Sequence, residues 1–221
     1  MNVCVPELIS FFDEDRSARP HASAIKAVAG EELGLGLLME YFRRNGIQTR
    51  LLDQPCTTGQ RQGYQLDGWI EIPQQANSSA RHYQVEVKSW SFHGVGPGSI
   101  PLPLHCTPEE LSAYKKRVWG AYWSDGYFSH EGLNKVLTPM KPPEGAKLVI
   151  PLACVWAAMH PNGDTTEFFK VPLSDQYAFP YVEVFSMSAF LRNLEPSESI
   201  LSLEVPWVPE RLKWLSRLFP Q

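Results

Sequence analysis

Two stretches decide how this chain is read: YQLDGWIEI at residues 64–72 and YQVEVKSW at residues 83–90. In an extended strand, successive side chains point to opposite faces. In the second stretch Gln84, Glu86 and Lys88 therefore share one face, and Val85 and Val87 the other. The valines predict a strand anchored in a core, which would hold the acid and the base opposite them in fixed positions. The segment between the two strands, PQQANSSA, is polar and suits a hairpin. A register that sets Asp67 opposite Glu86 predicts an antiparallel pair. Opposed residues in such a pair have Cα atoms about 4.5–5.5 Å apart, so both carboxylates could grip one cation.

That grouping suits phosphodiester hydrolysis. A hard cation such as Mg2+, held by carboxylate oxygens, activates water and neutralises charge that builds on phosphate. Lys88 lies on the Glu86 face and could position or help deprotonate that water and steady the developing negative charge. An ExK tripeptide by itself carries little, because exposed strands often place an acid and a lysine two residues apart. Its context matters more. Residues 22–45, ASAIKAVAGEELGLGLLMEYFRRN, predict a helix with Arg43 and Arg44 in its last turn and Gly46 just past its end. Strand-like alternation follows at 47–53, before the two decisive stretches. At about 100° per residue, Glu31 falls amid Leu35, Leu38 and Phe42, with Glu32 toward the edge of that stripe.

The run AGEELG in the helix, then LDGWIEI, then VEVKS resembles the D…ExK signature of the PD-(D/E)XK nuclease superfamily. Leu66 stands where a proline often precedes that family's first Asp. The resemblance covers about residues 22–90. It implies an α/β fold with a mixed central β-sheet flanked by helices, the restriction endonuclease-like core. It also implies Glu31, Asp67, Glu86 and Lys88 as catalytic residues. Asp67, Glu86 and Val87 would be the ligands of Mg2+, for which Mn2+ can substitute. The partner implied is nucleic acid, DNA before RNA, cut from an end or internally. A second copy of the chain or a partner protein is compatible with this reading. The alternative is a nucleic-acid-binding or assembly subunit that keeps the scaffold without cutting.

Around this core, residues 91–107 are rich in Gly and Pro and predict a long loop beside the site. Thr107, Pro108 and Glu110 supply the cap, first-turn proline and capping-box acid of a helix through about Trp123. Strands are expected near 147–159, 167–171 and 181–185, with a short helix near 187–194. Leu212, Leu215, Leu218 and Phe219 predict an amphipathic helix over 209–219. With 221 residues, the chain is read as one domain, residues 1–221. Its catalytic core spans about 22–125, and an extension of strands and helix spans about 142–221.

Hydrophobic residues at 43% and charged residues at 20% describe a folded protein. The formal net charge of −4 argues against coating nucleic acid through overall positive potential, though cations in a carboxylate cluster reverse the local sign. No apolar run reaches the roughly 20 residues of a membrane helix and no basic leader opens the chain, so a cytoplasmic setting is expected. Cys4, Cys56, Cys106 and Cys154 are too scattered for a zinc site or a disulfide framework and are read as reduced. His93 and His105 lack zinc-site spacing, and GVGPG lacks the GK[ST] ending of a phosphate loop. Lys115, Lys116 and Arg117 are read as a solvated helix face, and Gln84 as a strand-edge residue in solvent. Most of the tryptophans are read as core, with Trp90 the one beside the site.

Overall fold

A computed structural model describes residues 1–13, 20–52, 66–74, 80–88, 123–124, 127–128, 134–156, 158 and 166–205. Outside these lie the 91–107 loop, nearly all of the 108–123 helix and the 209–219 helix. So do Cys56, Cys106, His93, His105, Lys115, Lys116, Arg117, Trp90, Trp119, Trp207 and Trp214.

The predicted helix is α2 (Pro20–Arg44), which follows a short strand β1 (Asn2–Cys4) and helix α1 (Val5–Asp13), neither of which the sequence reading anticipated. Its C-terminus forms as the sequence predicts. Gly46 adopts φ 69°, a conformation that costs a Cβ-bearing residue energy. Gly46 N–H then donates to Arg43 O at 3.1 Å, and Ile47 N–H to Phe42 O at 2.9 Å. This pair of bonds satisfies carbonyls that the helix leaves open.

The hairpin forms with the expected register. After β2 (Arg50–Leu52), strand β3 (Gly68–Ile72) pairs antiparallel with β4 (Arg81–Lys88), Gly68 opposite Val85. That register carried one residue further sets Asp67 against Glu86. The middle of the chain contributes β5 (Trp123–Ser124), β6 (Tyr127–Phe128) and a one-turn helix α3 (Asn134–Leu137). Then come β7 (Leu148–Val155), β8 (Phe168–Pro172), β9 (Tyr181–Ser186), α4 (Met187–Arg192) and β10 (Ile200–Ser202).

Six strands make one mixed sheet in the order β2-β3-β4-β7-β9-β8. The pairs β4–β7 and β7–β9 are parallel, and the other three are antiparallel. Three strands of the C-terminal stretch, β7, β8 and β9, therefore continue the same sheet as the ExK hairpin. Helix α2 covers one face of this sheet. Phe42 stacks on Tyr83 with ring centroids 5.7 Å apart. A Cβ on Gly34 would stand 2.5 Å from Val87 Cγ1, so only a glycine lets α2 sit this close to β4. The other side of α2 is covered too, because Gly36 abuts Leu203 and Val205 just beyond β10, which pairs with β1.

Every residue from Gly34 to Glu40 is consequently buried. A helix enclosed on both sides has no single apolar stripe, and this corrects the helical-wheel placement of Glu31. Glu32 is buried, at 3% exposure, while Glu31 is exposed. Trp69 and Trp156 are core residues, as read. Cys4 and Cys154 are free thiols. Among the described residues no helix is long and apolar enough to cross a membrane.

Candidate active site

Alternation along β4 separates its side chains as predicted, but both faces are covered. Tyr83, Val85 and Val87 pack beneath α2, and all residues from His82 to Val87 are buried. The opposite face is closed by the α3 segment, and Gln84 is the residue that fastens it. Its Nε2 donates to Val136 O and, at 3.0 Å, to Thr138 O, while its Oε1 accepts from Met140 N–H at 3.3 Å. The reading of Gln84 as solvent-facing is therefore corrected: it is fully buried. A buried amide is retained because its groups are satisfied, here by main-chain groups of Val136, Thr138 and Met140.

Fastening α3 to β4 brings Lys135 into contact with the predicted acids. Lys135 Nζ stands 2.8 Å from Glu86 Oε2 and 3.5 Å from Asp67 Oδ1. Lys88 Nζ donates to the other Glu86 oxygen, Oε1, at 2.5 Å. Each Glu86 oxygen thus has its own ammonium. Asp67 is anchored as well, its Oδ2 accepting Val87 N–H at 2.7 Å. Val87 thus touches the group through its main-chain N–H, a donor to Asp67 rather than a ligand for a cation, while its side chain lies in the core.

The electrostatics follow from burial. Glu86 is 1% exposed, and the Asp67 side chain 10%. Loss of water first, and the Glu86 charge second, push the Asp67 carboxyl up to about 6. The Lys135 charge and the Val87 N–H oppose this, and Glu31 adds to it. Glu31, on exposed helix surface, is thus near enough for its charge to reach Asp67. Burial opposes the Lys135 charge in turn, but Glu86 and Asp67 outweigh it and hold that ammonium above its ordinary pKa.

The structure brings Asp67, Glu86, Val87 and Lys88 together and leaves Glu31 at the exposed margin. Sequence reasoning missed Lys135, which lies 68 residues after Asp67 and carries no local signal. Among the described residues, no three His, Cys, Asp or Glu side chains converge as a ready cage for a metal ion. The donor chemistry nonetheless suits a hard cation. Both carboxylates lie against the Lys135 ammonium, and Asp67 resists ionisation even so. The site lies at the carboxyl end of β4, beside the parallel strand β7, where ligands commonly meet open α/β sheets. No family model matches this chain, and neither does any curated protein or solved structure.

Proposed function

We propose that this chain is a metal-dependent nuclease of the PD-(D/E)XK type, built on a restriction endonuclease-like core and acting on DNA in the cytoplasm. The observation that carries the reading is the meeting of Asp67, Glu86 and Lys88 at one end of β4, with both carboxylates against the Lys135 ammonium and Lys88 on the other Glu86 oxygen. An accidental ExK on a solvated strand would leave Asp67 and Glu86 pointing apart and exposed. The order of elements supports the same reading: helix α2, the antiparallel run β2-β3-β4, then the parallel strand β7.

Asp67 and Glu86 would hold Mg2+, or Mn2+ in its place, with the carbonyl of Val87, the only part of that residue's main chain able to ligate a cation, as the further donor. When bound, the ion supplies Lewis-acid polarisation of the phosphate and lowers the pKa of water. The chain's own residues do the rest. Glu86 orients the Lys88 ammonium through Oε1, so Lys88 is aimed into the site rather than into solvent. From there it can orient an attacking water and offer positive charge to the phosphate oxygens. The Val87 N–H fixes the Asp67 carboxylate, so its other oxygen, Oδ1, faces the space that Lys135 shares with Glu86 without rotamer search. Glu31 adds a negative charge at the margin, the supporting role that the helix acid would have.

Cleavage of single-stranded, double-stranded and branched DNA with Mg2+ or Mn2+ tests this reading. Asp67→Ala and Lys88→Ala are each expected to lose about 100-fold or more of the cutting rate while keeping a folded circular dichroism spectrum. Cutting by both variants at the wild-type rate would overturn the site. Tight binding by wild type with no cleavage in either metal would favour a non-cleaving subunit instead.

A further inference from the structure

Lys88 supplies the one lysine that the proposed chemistry needs, yet a second ammonium, that of Lys135, occupies the space between the two acids. We propose that Lys135 is an internal stand-in cation, which holds Asp67 and Glu86 together in the metal-free protein and must leave Glu86 Oε2 before a divalent ion binds there. This rests on the metal-dependent reading above and adds a competition that regulates the same site.

The charge count is the first argument. Asp67 and Glu86 contribute two negative charges, and Lys88 and Lys135 two positive ones, so the metal-free group is already neutral. A divalent ion entering with both lysines in place would face two like charges on the carboxylate that it needs, and that carboxylate is only 1% exposed, so water screens them weakly there. One ammonium has to withdraw.

Geometry selects which. Among the described residues Lys88 pairs with Glu86 Oε1, whereas Lys135 Nζ lies against both acids, 2.8 Å from Glu86 Oε2 and 3.5 Å from Asp67 Oδ1. The shared position is therefore the one that Lys135 holds. Its main chain cannot follow the side chain out, because the neighbouring carbonyls of Val136 and Thr138 are fastened by Gln84. The Lys135 side chain, 23% exposed, has an open direction in which to swing. Ion entry and Lys135 retreat are then linked, and each weakens the other by the same factor.

The test is calorimetric titration of Mn2+ and Mg2+ at pH 8 into metal-free wild type, Lys135→Gln, Lys135→Arg, Lys170→Gln, Asp67→Asn and Glu86→Gln. Lys135→Gln is expected to bind either ion about tenfold tighter or more. Lys135→Arg keeps the charge and should stay within about threefold of wild type. Lys170 on β8, 62% exposed and paired with Glu183 on β9, serves as a control whose replacement leaves the affinity unchanged. Amine acylation of wild type, read by mass spectrometry, gives a second measurement that needs no variant to fold. Lys135 should label several-fold faster with saturating Mn2+, while Lys170 labels at a constant rate. Equal or weaker binding by Lys135→Gln, or Lys135 labelling that Mn2+ leaves unchanged or slows, overturns the inference. If wild type binds no divalent ion, or if Asp67→Asn and Glu86→Gln bind it normally, the metal-dependent reading fails and takes this inference with it. Metal bound through Asp67 and Glu86 with no response at Lys135 overturns the inference alone.

Discussion

Asp67→Asn should make the metal-free protein more stable while removing its activity. The Asp67 carboxyl is pushed from 3.8 up to about 6, by burial first and by the Glu86 charge second. A folded-state pKa above the unfolded one means that the native state holds its proton longer as pH rises. Ionising Asp67 therefore costs the fold nothing below about pH 4, costs progressively more between about pH 4 and 6, and costs its full amount above that. A displacement of about 2 in pKa corresponds to about 3 kcal/mol. Asparagine keeps a carbonyl oxygen for the Val87 N–H that Asp67 Oδ2 accepts at 2.7 Å, so little is lost against this gain. At pH 8 in a metal chelator, Asp67→Asn should therefore be about 2–3 kcal/mol more stable than wild type, or roughly 5–10 °C higher in Tm. At pH 4 the two proteins should melt together. Thermal denaturation followed by circular dichroism across pH 4–8 measures this, and Mg2+ should raise the Tm of wild type but not that of the variant. A variant that melts at or below the wild-type temperature at pH 8 would refute the claim that unfavourable charge is held at this site.

Gln84→Leu should cost about 2–4 kcal/mol in urea denaturation, because it strips partners from Val136 O, Thr138 O and Met140 N–H at once. A change below about 0.5 kcal/mol would mean that α3 is not held by this side chain. Gly34→Ala places a methyl 2.5 Å from the buried Val87 Cγ1 and should cost about 1–3 kcal/mol by the same measurement. A neutral result there would show that α2 does not press on β4 as closely as described.

Much of the fold was legible because it rests on short-range pattern. The end of α2 could be read from Arg43, Arg44 and Gly46, since a left-handed turn after a helix selects glycine whatever the rest of the chain does. The hairpin register could be read from the alternation around Asp67 and Glu86, since a slip of one residue would turn both valines of β4 out of the core. Gly34 was present in the sequence but uninterpretable there, because its reason is the Val87 methyl across a helix–sheet contact.

The sequence by itself determined that an acid precedes one strand, that an acid and a lysine share a face of the next, and that apolar residues back them. Those are relations between near neighbours, governed by the two-residue period of a strand. Only the tertiary structure decided what covers each face. It enclosed α2 on both sides and so buried Glu32 rather than Glu31. It closed the polar side of β4 with α3, turning Gln84 into an anchor and setting Lys135 between Asp67 and Glu86. Burial and charge pairing depend on elements far apart along the chain, and local periodicity carries no record of them.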